Sequence, residues 1–556
     1  MKIKSKPSFR AGRLLGACAV IGLATGTSAY AQDCYDDTDL QLVNGNIHTM
    51  DAEFSVVSSV RVANGRIVSV GKRAPGPCTR VIDLDGRTVI PGLIDNHVHL
   101  LLTFIRPGHE TRAVENARNV ADVQDAIRAR AAGVPKGEFI TTIGGIASRQ
   151  FAENRLPTLE ELDEAAPNHP VFLLELFNGP SSTNSLGKVF LESQGIAVSA
   201  TGVIAGGKVM GAGAKTATNP SHDAFQALDT LWDLDHRKQT AQAVMDYATS
   251  FGLTTAHTVG GSQGRGPGYF DPAIDHEVIL SLLQEDKINM RLRIYYNAYR
   301  SALDDIMNNI FPHFGGDLIK TAGIGEHILT FGLDDAVPLG QDYIDRATKI
   351  AQNGWQLMEH SLVESNVKAR ADAWSIVNKT ASIADLRWST DHVYTIELET
   401  MNRLNALGAS LRLHTTRRYM DGTAGPPFRK ILDNLVHKGK TIHVGVGSDA
   451  AQRGPINPWK NIYYIVSGRD VTGELVNDGQ QATRQEAIWM YTAANGWFSK
   501  EENDLGSIEV GKFGDLVVLN NDFFDEDEVS EEDIRDIASV LTIVGGRIVH
   551  DAGVLD

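Results

Sequence analysis

Cysteine is scarce in this chain: there are three in 556 residues, which excludes a fold held together by a disulfide framework in place of a core. Long apolar runs are also missing. The most apolar early stretch, Leu14–Leu23, falls short of the roughly 20 residues that a membrane helix needs, and no later stretch reaches that length, so no membrane insertion is expected. Positive charge is in deficit, since 52 Lys and Arg against 69 Asp and Glu leave a net charge of -17. That balance argues against a surface built to neutralise nucleic-acid phosphates or anionic lipid. With only 19 prolines and an apolar fraction of 42%, the composition is globular, not disordered or collagen-like. What remains is a chain several times the length of a typical domain, whose expected partner is a small molecule. Composition leaves self-association into a homo-oligomer open.

The first feature present is an address. Residues 1–31 carry Lys2, Lys4, Lys6, Arg10 and Arg13 with no acidic residue, then the run Leu14–Leu23, then Ala29-Tyr30-Ala31. This is the pattern of a secretory signal peptide cut after Ala31, and it predicts a periplasmic or secreted protein. Removing those five cations leaves 47 against 69, or -22. The segment Leu15-Gly16-Ala17-Cys18 has the look of a lipoprotein cleavage site, but too little apolar sequence precedes it. Cys34 and Cys78 then remain in an oxidising compartment, where one disulfide between them is expected to tie the mature N-terminus to the first sheet.

Three stretches place Asn-Gly or Gly-Gly between β-branched runs: Leu42–Ile47, Val62–Val68 and Ile543–Val549. Each reads as a β-hairpin. Two are N-terminal and one is C-terminal, so a small β-sandwich is expected to form from both chain ends, over residues 32–90 and 505–556. Between them strands and helices alternate. Apolar residues recur at helical spacing in Ile344, Ala347 and Ala351 before Gly354, in Met401, Leu404 and Leu407 before Gly408, and in Phe428, Ile431, Leu432, Leu435 and Val436 before Gly439, with glycine in the place of a left-handed cap. Strands are expected near Val89–Ile94, Leu253–Val259, Leu292–Asn297, Leu318–Gly325, Trp355–Met358, Leu386–Ser389, Ser410–Leu413 and Ile442–Gly447. Eight such units predict an α/β fold, a (β/α)8 TIM barrel over residues 91–504, with reactive groups at the C-terminal ends of the strands. Residues 100–250 do not fit the count. With strand-like runs at Phe139–Ile143 and Val171–Phe177 and the Gly-rich segment Gly202–Gly213, they read as an insertion covering the barrel mouth and shaping access.

The chemistry is concentrated at strand ends. His97 and His99 close the first barrel strand in Pro91–His99, and alternation along a strand points both imidazoles the same way, toward one metal. His360 ends the fifth strand, His392 the sixth, and Asp449 follows the eighth in Val446-Gly447-Ser448-Asp449. Taken singly, a histidine after a strand is more often a loop or satisfied core residue, and Asp449 reads equally well as a helix cap. Four histidines and an aspartate at one end of four strands are a metal site, because a barrel gathers those ends.

These residues resemble the amidohydrolase superfamily, and within it amidohydrolase family 3. The likeness extends over nearly the whole mature chain. It is carried by Pro91–His99, Gly252-Leu253-Thr254-Thr255, Gly354-Trp355 leading to His360, Gly447-Ser448-Asp449, and the tail from Tyr491–Gly496 to Leu505–Leu516. The resemblance implies a barrel with one or two divalent metals, zinc above all, that hydrolyses amide, cyclic amide or related carbon-nitrogen bonds other than peptide bonds. One departure stands out. Many binuclear members carry a carboxylated lysine at the end of strand 4, where this chain reads Ile319-Lys320-Thr321-Ala322-Gly323-Ile324-Gly325-Glu326-His327. The Glu326 carboxylate is the expected bridge, and Lys320, roughly 20 Å back along an extended strand, is expected to be structural. If Glu326 is not a ligand, a single metal on His97, His99, His360 and Asp449 is the alternative, with His392 on the substrate.

The ligand set implies a water made acidic by metal, with Asp449 taking its proton and delivering it to the leaving nitrogen. Softer candidates for substrate contact are His257, Tyr296, His414 and Arg417, each near a strand end and each equally readable as packing or surface. His109, His169, His313 and His437 have no placement that favours function, and the acidic run Asp522–Asp536 reads as a solvated face. The same site would serve a lactonase, an esterase or a deaminase, because its ligands act on water and not on the leaving group. A non-catalytic metal-retaining binding protein is a remoter reading, against which the presence of Asp449 counts.

Overall fold

The computed structural model describes residues 39–71, 74–76, 78–176, 178–207, 219–260, 272–298, 302–329, 336–437 and 442–555. The expected signal peptide, Cys34, Gly439 and the end of the Gly-rich segment lie outside them.

Both chain ends build one eight-stranded sheet. Leu40–His48, Val56–Ala63, Arg66–Val70, Arg80–Asp83 and Thr88–Pro91 join Leu516–Leu519, Ser539–Val544 and Arg547–Asp551. The seam is antiparallel, with Val89 opposite Val518 and Pro91 opposite Leu516. Ile67 N–H donates to Lys512 O (2.8 Å) and Gly514 N–H to Gly65 O (2.9 Å), which brings the third strand against the C-terminal segment. Leu40, Val60, Val62, Leu516 and Ile543 share the enclosed core, so neither half buries its apolar face alone. Asn64-Gly65 and Gly545-Gly546 take positive φ at both positions, as two-residue hairpin turns require. Asn44-Gly45 does not turn the chain, contrary to the expected hairpin: Leu40–His48 is one strand with a bulge between Val43 and Ile47. Across that bulge the strand exchanges Arg80–Asp83 for Thr88–Pro91 as its parallel partner, a long-range event that a local turn signal does not register.

The central sheet is a barrel of eight parallel strands: β1 (Leu93–Val98), β2 (Leu253–Val259), β3 (Arg291–Tyr296), β4 (Ile319–Ile324), β5 (Gln356–Ser361), β6 (Ser389–His392), β7 (Ser410–His414) and β8 (Val444–Gly447). It closes where Asp449 N–H donates to His97 O (2.8 Å) and the buried Asp95 carboxylate accepts from the backbone N–H of His97 (3.1 Å) and Ser448 (3.0 Å). Two strand boundaries differ from expectation. The run Val89–Ile94 divides at Gly92, its first part in the composite sheet and its second in β1. A side chain at Gly92 would meet Thr254 Oγ1 at 2.1 Å. β6 starts at Ser389 because Arg387 takes a φ of 55° and anchors to Glu502 by two hydrogen bonds of 2.7 and 2.6 Å, which delays the strand.

The tail segments similar to the family are clamps. Asn495 Nδ2 donates to Ile94 O (2.5 Å) and Val446 O (2.8 Å), holding β1 to β8. Asp515 accepts two bonds from Arg291 (2.7 and 2.8 Å), whose guanidinium lies 3.9 Å over the Phe513 ring.

Between β1 and β2 lies a separate five-stranded sheet in the order Val203–Ile204, Ser181–Thr183, Val171–Leu174, Ile140–Ile143, His109–Glu110. It reaches the loops beyond β7 and β8: Glu115 accepts from Ile456 N–H (2.9 Å), and Arg149 donates to Met420 O (3.1 Å) and Asp470 (2.7 Å). The helix Leu234–Thr249, at the end of the expected insertion, puts Ala241, Val244, Met245 and Ala248 into the barrel core.

Candidate metal centre

Six side chains converge at the C-terminal rim of the barrel. His97 in β1 and His99 just beyond it share one side of a small space. His360 in β5 and His392, the last residue of β6, share the other. Glu326, two residues past β4, lies between them: its Oε1 is 3.6 Å from His99 Nε2, while its Oε2 is 2.8 Å from His360 Nδ1, 3.4 Å from His392 Nε2 and 3.9 Å from His97 Nε2. Asp449 closes the first side, its Oδ1 3.1 Å from His99 Nε2 and 3.8 Å from His97 Nε2. His360 Nδ1 and His392 Nε2 face each other at 2.8 Å. His99 is oriented from behind by its Nδ1, 3.1 Å from Val259 O. His97 is oriented by Nδ1 on Asp391 (2.8 Å), and its Nε2, buried and facing the cluster, has no hydrogen-bond partner among the described residues.

These spacings fit a divalent cation. Two nitrogen or oxygen ligands each about 2.05 Å from a tetrahedral cation stand roughly 3.3 Å from one another. The seven inward pairs measure 2.8 to 3.9 Å. Among the described residues, groups able to hold an ion are His97, His99 and Glu326; His97, Asp391 and His414; Glu326, His360 and His392; and His392, His414 and Asp449. All share members, so they form one continuous cluster. His392 and Asp449 take φ values of 69° and 59°, left-handed backbone that costs a non-glycine residue on the order of 1–3 kcal/mol and is concentrated at functional sites.

The electrostatics show groups pressed together against their ordinary preferences. Burial opposes ionisation of Glu326, and the imidazoles of His360, His327 and His392 outweigh it, holding the carboxyl well below the usual range. Asp449 is likewise opposed by burial yet brought down to about 2 by His99, His392 and His97. Burial lowers His97, but Asp391, Glu326 and Asp449 carry it up to about 9. His392 falls to about 3 through burial and the neighbouring His360. Two acids among several imidazoles make a site that attracts a cation and holds a proton acceptor in the same small volume.

The softer candidates separate. His414, at the end of β7, is inside the cluster: its Nδ1 is 2.9 Å from His392 Nδ1. His257 lies in the barrel interior, 3.4 Å from Arg412 and stacked on Tyr295. Tyr296 packs edge-on against His276, and Arg417 pairs with Asp421 at 3.4 Å on the short helix Thr416–Asp421 that follows β7. Lys320, expected to be structural, binds Glu501 at 2.6 Å near the opposite end of its strand. Sequence reasoning passed over Asp391, His327 and Tyr394. The Tyr394 hydroxyl lies 3.5 Å from His392 Nδ1, and Arg418 sits 3.7 Å over its ring. The alternation of Asp391 and His392 along β6 gave no reason to place both in one site.

Comparison with known proteins adds a lineage. A family model described as amidohydrolase family matches residues 80–550. The N-substituted formamide deformylase of Arthrobacter pascens is 25% identical over 567 residues, spanning 92% of this chain and 98% of that protein. Protein LONG AFTER FAR-RED 3 of Arabidopsis thaliana is 31% identical over 238 residues, 40% of this chain and 38% of its own length. Among solved structures, an uncharacterized metal-dependent hydrolase from Pyrococcus furiosus superposes with a TM-score of 0.56 at 16% identity, over 87% of this chain and 100% of that one. Atrazine chlorohydrolase from Arthrobacter aurescens, solved with zinc, gives a TM-score of 0.53 at 13% identity over 92% and 95%. At such identities the structural likeness is one of fold.

Proposed function

Because the chain belongs to the amidohydrolase family across residues 80–550, we propose that it is a metal-dependent hydrolase of non-peptide carbon-nitrogen bonds, acting on an amide, N-acyl or cyclic amide substrate. The observation that carries this reading is the place of Glu326, whose two oxygens face His99 on one side and His360 with His392 on the other. One cation would be held by His97, His99, Asp449 and Glu326, and a second by Glu326, His360 and His392. The nitrogen-rich donor set suits zinc. A divalent cation held there would supply Lewis acidity, lowering the pKa of water toward neutrality and polarising a carbonyl. Asp449 accepts the water proton and returns it to the nitrogen as the C–N bond breaks, leaving a carboxylic acid and an amine. Burial of the cluster excludes bulk water and strengthens each of these interactions. The formamide deformylase relative supports an N-acyl substrate, with N-formyl amines as the first to try.

We further propose export to the periplasm or outside the cell, with a Cys34–Cys78 disulfide, a reading supported by the N-terminal charge and apolar pattern. Metal content of purified protein, followed by a panel of N-formyl amines, N-acyl amino acids, cyclic amides and lactones, tests the reading. Two cations per chain with amide hydrolysis are expected. Preference for lactones would overturn the carbon-nitrogen assignment, and a single cation would remove Glu326 as a bridge.

A further inference from the structure

His392 has two ring nitrogens and both are engaged. Nε2 faces Glu326 Oε2 at 3.4 Å and His360 Nδ1 at 2.8 Å, while Nδ1 faces His414 Nδ1 at 2.9 Å. A nitrogen that offers its lone pair to a cation carries no proton, so the proton of a neutral imidazole bound through Nε2 stands on Nδ1 and needs an acceptor. Among the described residues, the acceptor within 3 Å is His414 Nδ1. The Tyr394 hydroxyl, at 3.5 Å, and Asp449 Oδ2, at 3.8 Å, are the more distant alternatives. His414 is fully buried at the end of β7, and its ring stands edge-on to both His97 and His392, with centroids 4.2 and 4.3 Å away. Its Nε2 makes no hydrogen bond to the described residues.

We propose that His414 is a positioning residue, accepting the Nδ1–H of His392 through its own Nδ1 and so fixing the tautomer and ring orientation in which His392 Nε2 faces the second cation. The arrangement parallels His97, whose Nδ1–H is taken by Asp391 at 2.8 Å. Each half of the cluster thus has its own acceptor behind a histidine: a carboxylate from β6 for His97, and an imidazole from β7 for His392. An imidazole is a weaker acceptor than a carboxylate, so His392 would be the less basic donor of the two. A substrate contact by His414 is disfavoured, because its Nδ1 is directed at His392 and its ring is walled in by His97 and His392. The proposal rests on the cluster being the metal site inferred above.

The test compares wild type with His414→Leu, which fills the space without an acceptor, and His414→Asn, whose Oδ1 restores one near the position of Nδ1. Zinc content and the zinc affinity of each site are measured by competition with a chromophoric chelator. Outer acceptors of this kind are worth about 10- to 100-fold in metal affinity. His414→Leu is therefore expected to weaken one of two zinc sites by that factor, while the other holds and His414→Asn recovers most of the loss. If the leucine variant fails to fold, His414→Ala takes its place. Unchanged zinc affinity in the leucine variant with a raised KM would overturn the proposal in favour of substrate contact. Equal losses in Leu and Asn would overturn it in favour of ring packing. A wild-type protein that binds no divalent cation would instead sink the functional reading beneath it.

Discussion

The two ends of the barrel handle charge in opposite ways. At the base, Arg293 gives Glu501 two hydrogen bonds of 2.6 and 3.0 Å, Lys320 adds a third at 2.6 Å, and Arg291 gives Asp515 two more. Each of these ions faces an opposite charge with good geometry. At the mouth of the same barrel, two carboxylates are surrounded by histidines, ring nitrogens meet at 2.8 and 2.9 Å, and His97 Nε2 is buried with no hydrogen-bond partner among the described residues. Both ends are largely buried, so burial does not separate them. Completion does: the base is finished by its own side chains, and on the function proposed above the mouth is finished by a cation and a substrate. Such a division lets one end carry stability while the other keeps groups whose preferences are unmet.

That contrast can be broken from either end. The largest effect belongs to Asp449→Asn at the mouth. Removing the proton acceptor is expected to lower kcat by about 100- to 10,000-fold with zinc content and melting temperature nearly unchanged; full activity in this variant would remove Asp449 from the chemistry. Next comes Glu501→Gln at the base, which strands Arg293 and Lys320 without their carboxylate. Breaking a buried pair in this way costs about 3–5 kcal/mol, seen as a lower unfolding midpoint in denaturant, while the folded fraction keeps its kcat. The same site carries an acid dependence. Burial opposes ionisation of Glu501, yet Arg293 and Lys320 hold its carboxyl below the usual value. Its contribution is therefore present above an unfolded pKa of about 4.3 and is lost as pH falls through the lower folded value. Thermal melts of wild type should drop steeply in acid, and those of Glu501→Gln less so.

Smaller effects sharpen the boundary. Tyr394→Phe removes a hydroxyl 3.5 Å from His392, and the loss of one weak hydrogen bond, about 1 kcal/mol or less, predicts a change in kcat/KM of a few-fold. Arg417→Ala should shift stability by less than about 0.5 kcal/mol, because Arg417 is partly exposed and its pair with Asp421 is long, at 3.4 Å. A KM change of more than tenfold in that variant would bring Arg417 into the substrate site.

Much of this was legible in the residues. Alternation put His97 and His99 on one side of a strand, and strand ends gave His360, His392 and Asp449 a common rim. A carboxylate beyond strand 4 marked Glu326. What escaped depended on tertiary pairing. Regular alternation would turn Asp391 away whenever His392 faces inward, but His392 takes a left-handed φ of 69°, and both side chains join the cluster. His414 could be ranked only as a soft contact, since its nearness to His392 follows from the register of β6 on β7. Asn44-Gly45 carried every local sign of a turn, and a change of strand partner across it kept the chain straight. Local rules located the groups, and the pairing of distant segments decided which of them meet.

The central claim is that the mouth is completed by metal, and its most direct measurement is hydrolysis of an N-formyl amine before and after removal of the metal by a chelator. The account predicts activity in the protein as purified, loss of it with the metal, and recovery on adding zinc to about two equivalents per chain. Undiminished hydrolysis by protein verified as metal-free would contradict it.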